Sequence, residues 1–237
     1  MKNKILIFTV FFFSTIYSQN STYNNVYGLK LLSFDYKYNE NFIGLSLPLI
    51  SGSGVSERFT GIDIGFFLSG CSKILYYTKY RIDNFDAPRV YKFNGLAISG
   101  LINSMWKMNG VSITPGLTSA DNLNGISFSG LSVIENFNGF STSWLIFVSE
   151  KAKGFSFSGL VSGGDEFTGV SLSLLVSGAK YFKGLSIGSL SLVEEEMIGV
   201  QIGIVNYAEN LKGIQIGILN IAKNAFIPYT IGLNWNF

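Results

Sequence analysis

A glycine recurs at Gly95, Gly110, Gly125, Gly139, Gly154, Gly169, Gly184, Gly199 and Gly213, at spacings of 15, 15, 14, 15, 15, 15, 15 and 14 residues, each opening an apolar–small–apolar triplet. Units such as Gly169-Val-Ser-Leu-Ser-Leu-Leu-Val-Ser alternate apolar and small polar residues with the period of two that marks a strand. Gly44 and Gly61 open similar runs, so the repeat extends into the less regular first third of the chain. Charge follows the same period. From Gly95 to Lys223 every charged residue lies ten or more positions after its unit's glycine, leaving a charge-free window of about ten residues and a polar turn of about five.

Few folds accommodate so short a repeat. A ten-residue window taken as one straight strand covers about 33 Å, and five turn residues return at most about 17 Å, so the next strand must run antiparallel. The window also has the length of a tilted transmembrane strand. Counting from residue 25 onward predicts an all-β, antiparallel, up-and-down transmembrane β-barrel of roughly 14 strands. The alternative is a parallel β-solenoid. It applies if the sixth residue of each unit, Gly100, Pro115, Gly130 or Gly159, breaks the window into two short strands around a corner.

The two strand faces differ. Positions one and three after the glycine are large and apolar, as in Val170/Leu172 and Ile214/Ile216, and positions two and four are small and polar, as in Ser156/Ser158 and Ser171/Ser173. A barrel would turn the first face to lipid and the second to its lumen. A soluble sandwich would bury the apolar face, but it calls for charges on the outer face, where this chain carries serine. Position six is usually Leu or Val (Leu101, Leu131, Leu145, Leu160, Leu175, Leu190, Val205, Leu219) and has the parity of the polar face. Either a bulge resets the phase or the lumen holds an apolar layer.

Composition narrows the function. Apolar residues make up 47% and charged ones 14%, too thin a polar coat for an ordinary water-soluble body of this size. A net charge of +2 with no clustered Lys and Arg argues against nucleic acid. With no His, Ser-His-Asp hydrolases and His-based zinc sites are excluded, and lone Cys71 has no internal disulfide partner. No catalytic, cofactor or metal residue is expected. The triple Glu194-Glu195-Glu196 lacks the ligand spacing of a calcium loop.

The two ends suggest export and membrane assembly. Lys2 and Lys4, the apolar run Ile5 to Ile16 and then Tyr17-Ser18 form a secretory signal peptide over residues 1–18, leaving 19–237 as a single repetitive barrel domain. Pro228 to Phe237 ends on an aromatic, with Trp235, Leu233, Ile231 and Tyr229 at alternate positions before it. This resembles the terminal strand of bacterial outer-membrane β-barrels, which implies outer-membrane lipid and the barrel assembly machinery as partners and Phe237 and Trp235 as the assembly signal. The units at 199–206 and 213–220 also resemble the Gly-x-Gln-x-Gly-x-x-Asn surface-repeat proteins of Bacteroidetes and spirochaetes, although upstream units carry Ser for Gln.

Two segments break the charge-free rule. Asp35 and Lys37 in one, and Lys79, Arg81 and Asp83 in the other, share strand faces, while Asp63 takes a position usually held by Ser. Together they form a candidate lumenal charged cluster, of the kind that gives a pore a selectivity point. The alternative is that these strands protrude and their charges are solvated. The expected function is thus an outer-membrane barrel with a structural, surface-interaction or passive porin-like role. The alternative is a secreted or surface-attached β-solenoid acting as an adhesin or interaction module. The exported chain is predicted to begin at Gln19; mass spectrometry of its N-terminal peptide checks this, and a terminus retaining Lys2 and Lys4 would refute it.

Overall fold

The repeated glycines stack on one another, and that stacking decides the architecture. The computed structural model describes residues 5–10, 13–20, 25–30, 41–47, 58–65, 68–69 and 92–237, which divide into two units, Met1–Ser129 and Gly130–Phe237. In the first unit β1 (Ile5–Val10), β2 (Phe13–Asn20) and β3 (Asn25–Lys30) pair antiparallel. From β3 onward the pairing is parallel, through β4 (Asn41–Ser46), β5 (Arg58–Gly65) and β7 (Lys92–Ser99) to β8 (Ile102–Ser158), with Gly28, Gly44, Gly61, Gly95 and Gly110 in register. The short β6 (Leu68–Ser69) pairs parallel with the start of β8. In the second unit β8, β9 (Val161–Ser173), β10 (Val176–Ile187) and β11 (Leu190–Ala222) are parallel neighbours, and Gly154, Gly169, Gly184 and Gly199 align. The final strand β12 (Tyr229–Asn236) reverses and pairs antiparallel with β11.

Each unit is therefore a parallel β-solenoid, and the antiparallel up-and-down barrel of roughly 14 strands is corrected by this register. The physical reason lies in the corner. β9 stops at Ser173 and β10 starts at Val176, so Leu174 and Leu175 turn the chain where the straight-strand argument needed it to continue. The same break falls at Gly159–Leu160 and at Gly188–Ser189. Half the charge-free window spans only about 17 Å, a distance that the remainder of a 15-residue coil can retrace. The corner also accounts for the parity of position six. Two successive residues point outward there, so Leu101, Leu160 and Leu175 are exposed and the phase is reset beyond them.

Inside the coils lies the row that a barrel would have given to a wet lumen. Ser156, Ser162, Ser171, Ser177, Ser186 and Ser191 are buried. The Ser171 hydroxyl donates to Ser162 Oγ at 2.9 Å and lies 2.8 Å from Ser177 Oγ, and Ser186 repeats the pattern with Ser177 and Ser191 at 2.9 and 2.8 Å. Toward the C-terminus amides continue the ladder: Gln201 Nε2 donates to Ser191 Oγ, and Gln215 Nε2 donates to Gln201 Oε1 at 2.8 Å. A hydroxyl both donates and accepts, so a serine column satisfies itself in a space too narrow for larger side chains. The wider part of each interior holds large apolar groups, with Phe59 stacked on Phe93 in the first unit and Phe167 on Phe182 in the second, at centroid distances of 5.0 and 4.9 Å.

Gly184 shows why the repeat keeps its glycine. Its φ of +134° disfavours any other residue, and a Cβ there would lie 2.0 Å from the carbonyl oxygen of Gly169. The obstacle is backbone, so no rotamer change relieves it. Gly184→Ala is expected to cost at least about 3 kcal/mol, from strain and lost registration together. Urea unfolding of wild type and variant measures this; a change below about 1 kcal/mol would contradict the reading.

Candidate functional site

Since the serine row fills the interior, the large aliphatic side chains of positions one, three, five and six lie outside. In the second unit Trp144, Leu174 and Ile218 are 75%, 64% and 68% exposed. Phe140 and Phe155, from successive coils, stack on the exterior at 4.9 Å. Such a side is held in place by the serine ladder behind it, which fixes strand parity coil after coil.

Near the C-terminal end this face carries a shallow, largely open apolar groove. Its walls are Ile187, Ile202, Ile204, Ile216, Ile218 and Ile231, and Gly188, Gly203, Gly217 and Gly232 lie along its course. Two of these glycines admit no side chain: a Cβ on Gly203 would meet the Gly188 carbonyl oxygen at 2.4 Å, and one on Gly217 the Gly203 oxygen at 2.2 Å. Sequence reasoning missed the groove because it sought a site only among the charged residues; the glycines themselves belong to the inward row, since a Cβ on Gly203 or Gly217 would point at buried Asn206. The available signal was Gly for Ser at position four in three successive units, with Gly232 in the terminal strand.

Charge is confined to another part of each coil. Residues one repeat apart carry opposite signs: Lys151 pairs with Glu166 at 3.2 Å, Lys180 with Asp165 at 2.8 Å, Lys223 with Glu209 at 2.7 Å, and Lys212 with Glu196. The bond from Lys223, helped by the Tyr207 hydroxyl, holds the Glu209 carboxyl below the usual carboxylate range. The bond to Glu209 raises Lys223, as the bond to Asp165 raises Lys180. All these groups are solvated, so their energetic weight is small. Among the described residues no three His, Cys, Asp or Glu side chains form a cluster able to hold a metal.

Of the candidate charged cluster, only Asp63 falls among the described residues; Asp35, Lys37, Lys79, Arg81 and Asp83 lie outside them. Asp63 is buried in the interior of the first unit, in register between Ser46 and Ala97. Trp235 stands near the end of β12 and Phe237 just beyond it, both exposed. Around them the terminal strand caps a coil rather than closing a barrel, and the porin-like and transmembrane readings are corrected with the barrel: the small polar row is a packed interior, not the wall of a lumen. Comparison with known proteins found no matching family model, no matching curated protein and no matching solved structure.

The ion pairs predict a defined pH response. Glu209 has a lowered folded pKa, so its contribution is present above the ordinary carboxylate range and is lost as pH falls through the lowered value. Lys223 is raised, so its contribution is complete below the ordinary lysine range and is lost as pH rises through the raised value. Thermal melts should be flat around neutrality, with a fall on acidification that is smaller in Glu209→Gln. An equal acid limb in that variant would remove Glu209 from the account.

Proposed function

We propose that this chain is an exported, surface-attached or secreted β-solenoid interaction module, which engages a partner through its outer apolar face and performs no catalysis. The observation that carries this reading is the outer face, where isoleucine, leucine and aromatic side chains stay exposed while hydrogen-bonded serine and a separate apolar core fill the interior. Contiguous exposed apolar surface is kept small on proteins that work alone and marks contact with a partner where it is large. The N-terminal Lys-flanked apolar run supports export, and on this reading β1 and all of β2 before Gln19 belong to the precursor and not to the exported module. The solvated ion pairs keep another part of each coil hydrated, which suits a body that presents one side to a partner and another to water.

The folded chain is expected to bind anilinonaphthalene sulfonate, a dye for apolar surface, without being denatured. Ile216→Asn and Ile218→Asn should each reduce that fluorescence several-fold while the melting temperature moves by no more than about 4 °C. Native protein that leaves the dye dark would sink the proposal. Protease added to intact cells tests the location: loss of the chain while an internal marker survives supports surface exposure, and full protection in intact cells, with digestion once they are lysed, counts against it.

A further inference from the structure

The last strand leaves an edge that nothing among the described residues guards. β12 pairs with β11 along one side, from Gly213 opposite Asn236 to Ile221 opposite Tyr229, and the strand order ends there. Its interior side is finished: Asn234 is buried, and its amide reaches Gln215 Oε1 at 3.4 Å, closing the ladder of hydroxyls and amides. Its other side offers a row of backbone N–H and C=O groups with no neighbouring strand among the described residues. Sheet edges are normally blunted by charge, by an internal proline or by a covering loop. Here no residue from Asn224 to Phe237 is charged, and Pro228 stands before the strand rather than within it.

The side chains around that edge are also unlike those of a surface left to water. Phe226, Tyr229, Ile231, Trp235 and Phe237 are 99%, 67%, 85%, 60% and 90% exposed. The four aromatics alone present roughly 600 Å² per copy. With Ile227, Ile231 and Leu233 added, the surface is on the scale of the about 800 Å² per partner that a stable interface uses. An unguarded edge satisfies its hydrogen bonds most simply against an identical edge running the other way, because antiparallel pairing about a two-fold axis is reciprocal.

We propose that two copies of this chain associate through the free edge of β12, strand against strand about a two-fold axis, with the Tyr229, Ile231, Trp235 and Phe237 rows brought side by side. This contact is separate from whatever the lateral apolar face binds. It takes in Ile231, which also borders the apolar groove, and leaves the rest of that face open in both copies, so that the pair is bivalent.

Sedimentation velocity of the full chain across a micromolar concentration series tests it. A species of twice the 26.0 kDa chain mass is expected. Ile231→Lys and Trp235→Lys should each raise the dissociation constant at least about tenfold, whereas Leu174→Lys on the lateral face should leave the pair intact. A single-chain mass throughout, a mass that grows past two copies, or a dimer that survives both β12 variants overturns the proposal. Hydrogen exchange of the wild type gives an answer independent of the variants: amides of residues 229–236 should slow as concentration rises, and concentration-independent exchange there overturns it equally.

Discussion

The register of the whole structure depends on how closely one backbone approaches the next at the glycine column. In each successive coil a carbonyl oxygen occupies the space where a Cβ would stand, as Gly154 does for Gly169 and Gly169 for Gly184. No side chain can enter, so the coil has one way to sit on its neighbour. Everything else inherits that alignment: serine meets serine, Phe182 lies over Phe167, and Lys180 comes opposite Asp165. The inherited contacts differ in weight. A stacked ring pair adds about 0.5–1.5 kcal/mol beyond its burial and a hydrogen bond about 1 kcal/mol net, whereas solvated ion pairs contribute little. The interior therefore holds the coils together, and the charges mainly keep their corner wet.

A serine-lined interior has a cost and a return. Hydroxyls gain far less from burial than aliphatic groups, and those without a partner, such as Ser158 and Ser173, carry a penalty of about 1–3 kcal/mol each. In return the walls come close enough for hydroxyl to meet hydroxyl at 2.7 Å between Ser156 and Ser162. The apolar core is left to residues such as Phe167, Phe182, Met197 and Leu211, and the aliphatic side chains that alternate with serine stay on the exterior, where they are available to a partner. Stability and binding surface are thus supplied by different residues of the same strand.

Much of this was legible in the sequence. The repeat, its phase and the division into a large apolar face and a small polar face all follow from residue spacing, and Gly44 and Gly61 join the column where the pattern places them. The direction of the strands was left between two readings: the chain does turn at Gly100 and Gly159, as the solenoid alternative required, but Leu174 and Leu175 turn it with neither Gly nor Pro, so the corner did not stand out in every unit. The sign of the corner was present as a conflict of parity: Leu160 and Leu175 sit on the polar phase yet are apolar, which a straight strand cannot reconcile with a single face. The groove was hidden because its walls are the same outward isoleucines found all along the repeat, and only their spacing in the fold opens it. The charged segments before Lys92 fall largely outside the described residues, and of their cluster only Asp63 has a place in the fold.

Like-on-like stacking also bears on how such a gene can change. Removing the fifteen residues from Val170 to Gly184 would join Gly169 to Leu185 and set Ser186 where Ser171 stood, with the reading frame and the hydroxyl ladder both intact. Neighbouring coils contact only each other, so the loss of this coil keeps the glycine column and the serine ladder, while the removal of Lys180 sets Glu166 in register with Glu196 and changes the charged part alone. Crossing-over between adjacent repeats, in steps of fifteen codons, is therefore a route by which related alleles could differ in length and yet present the same faces.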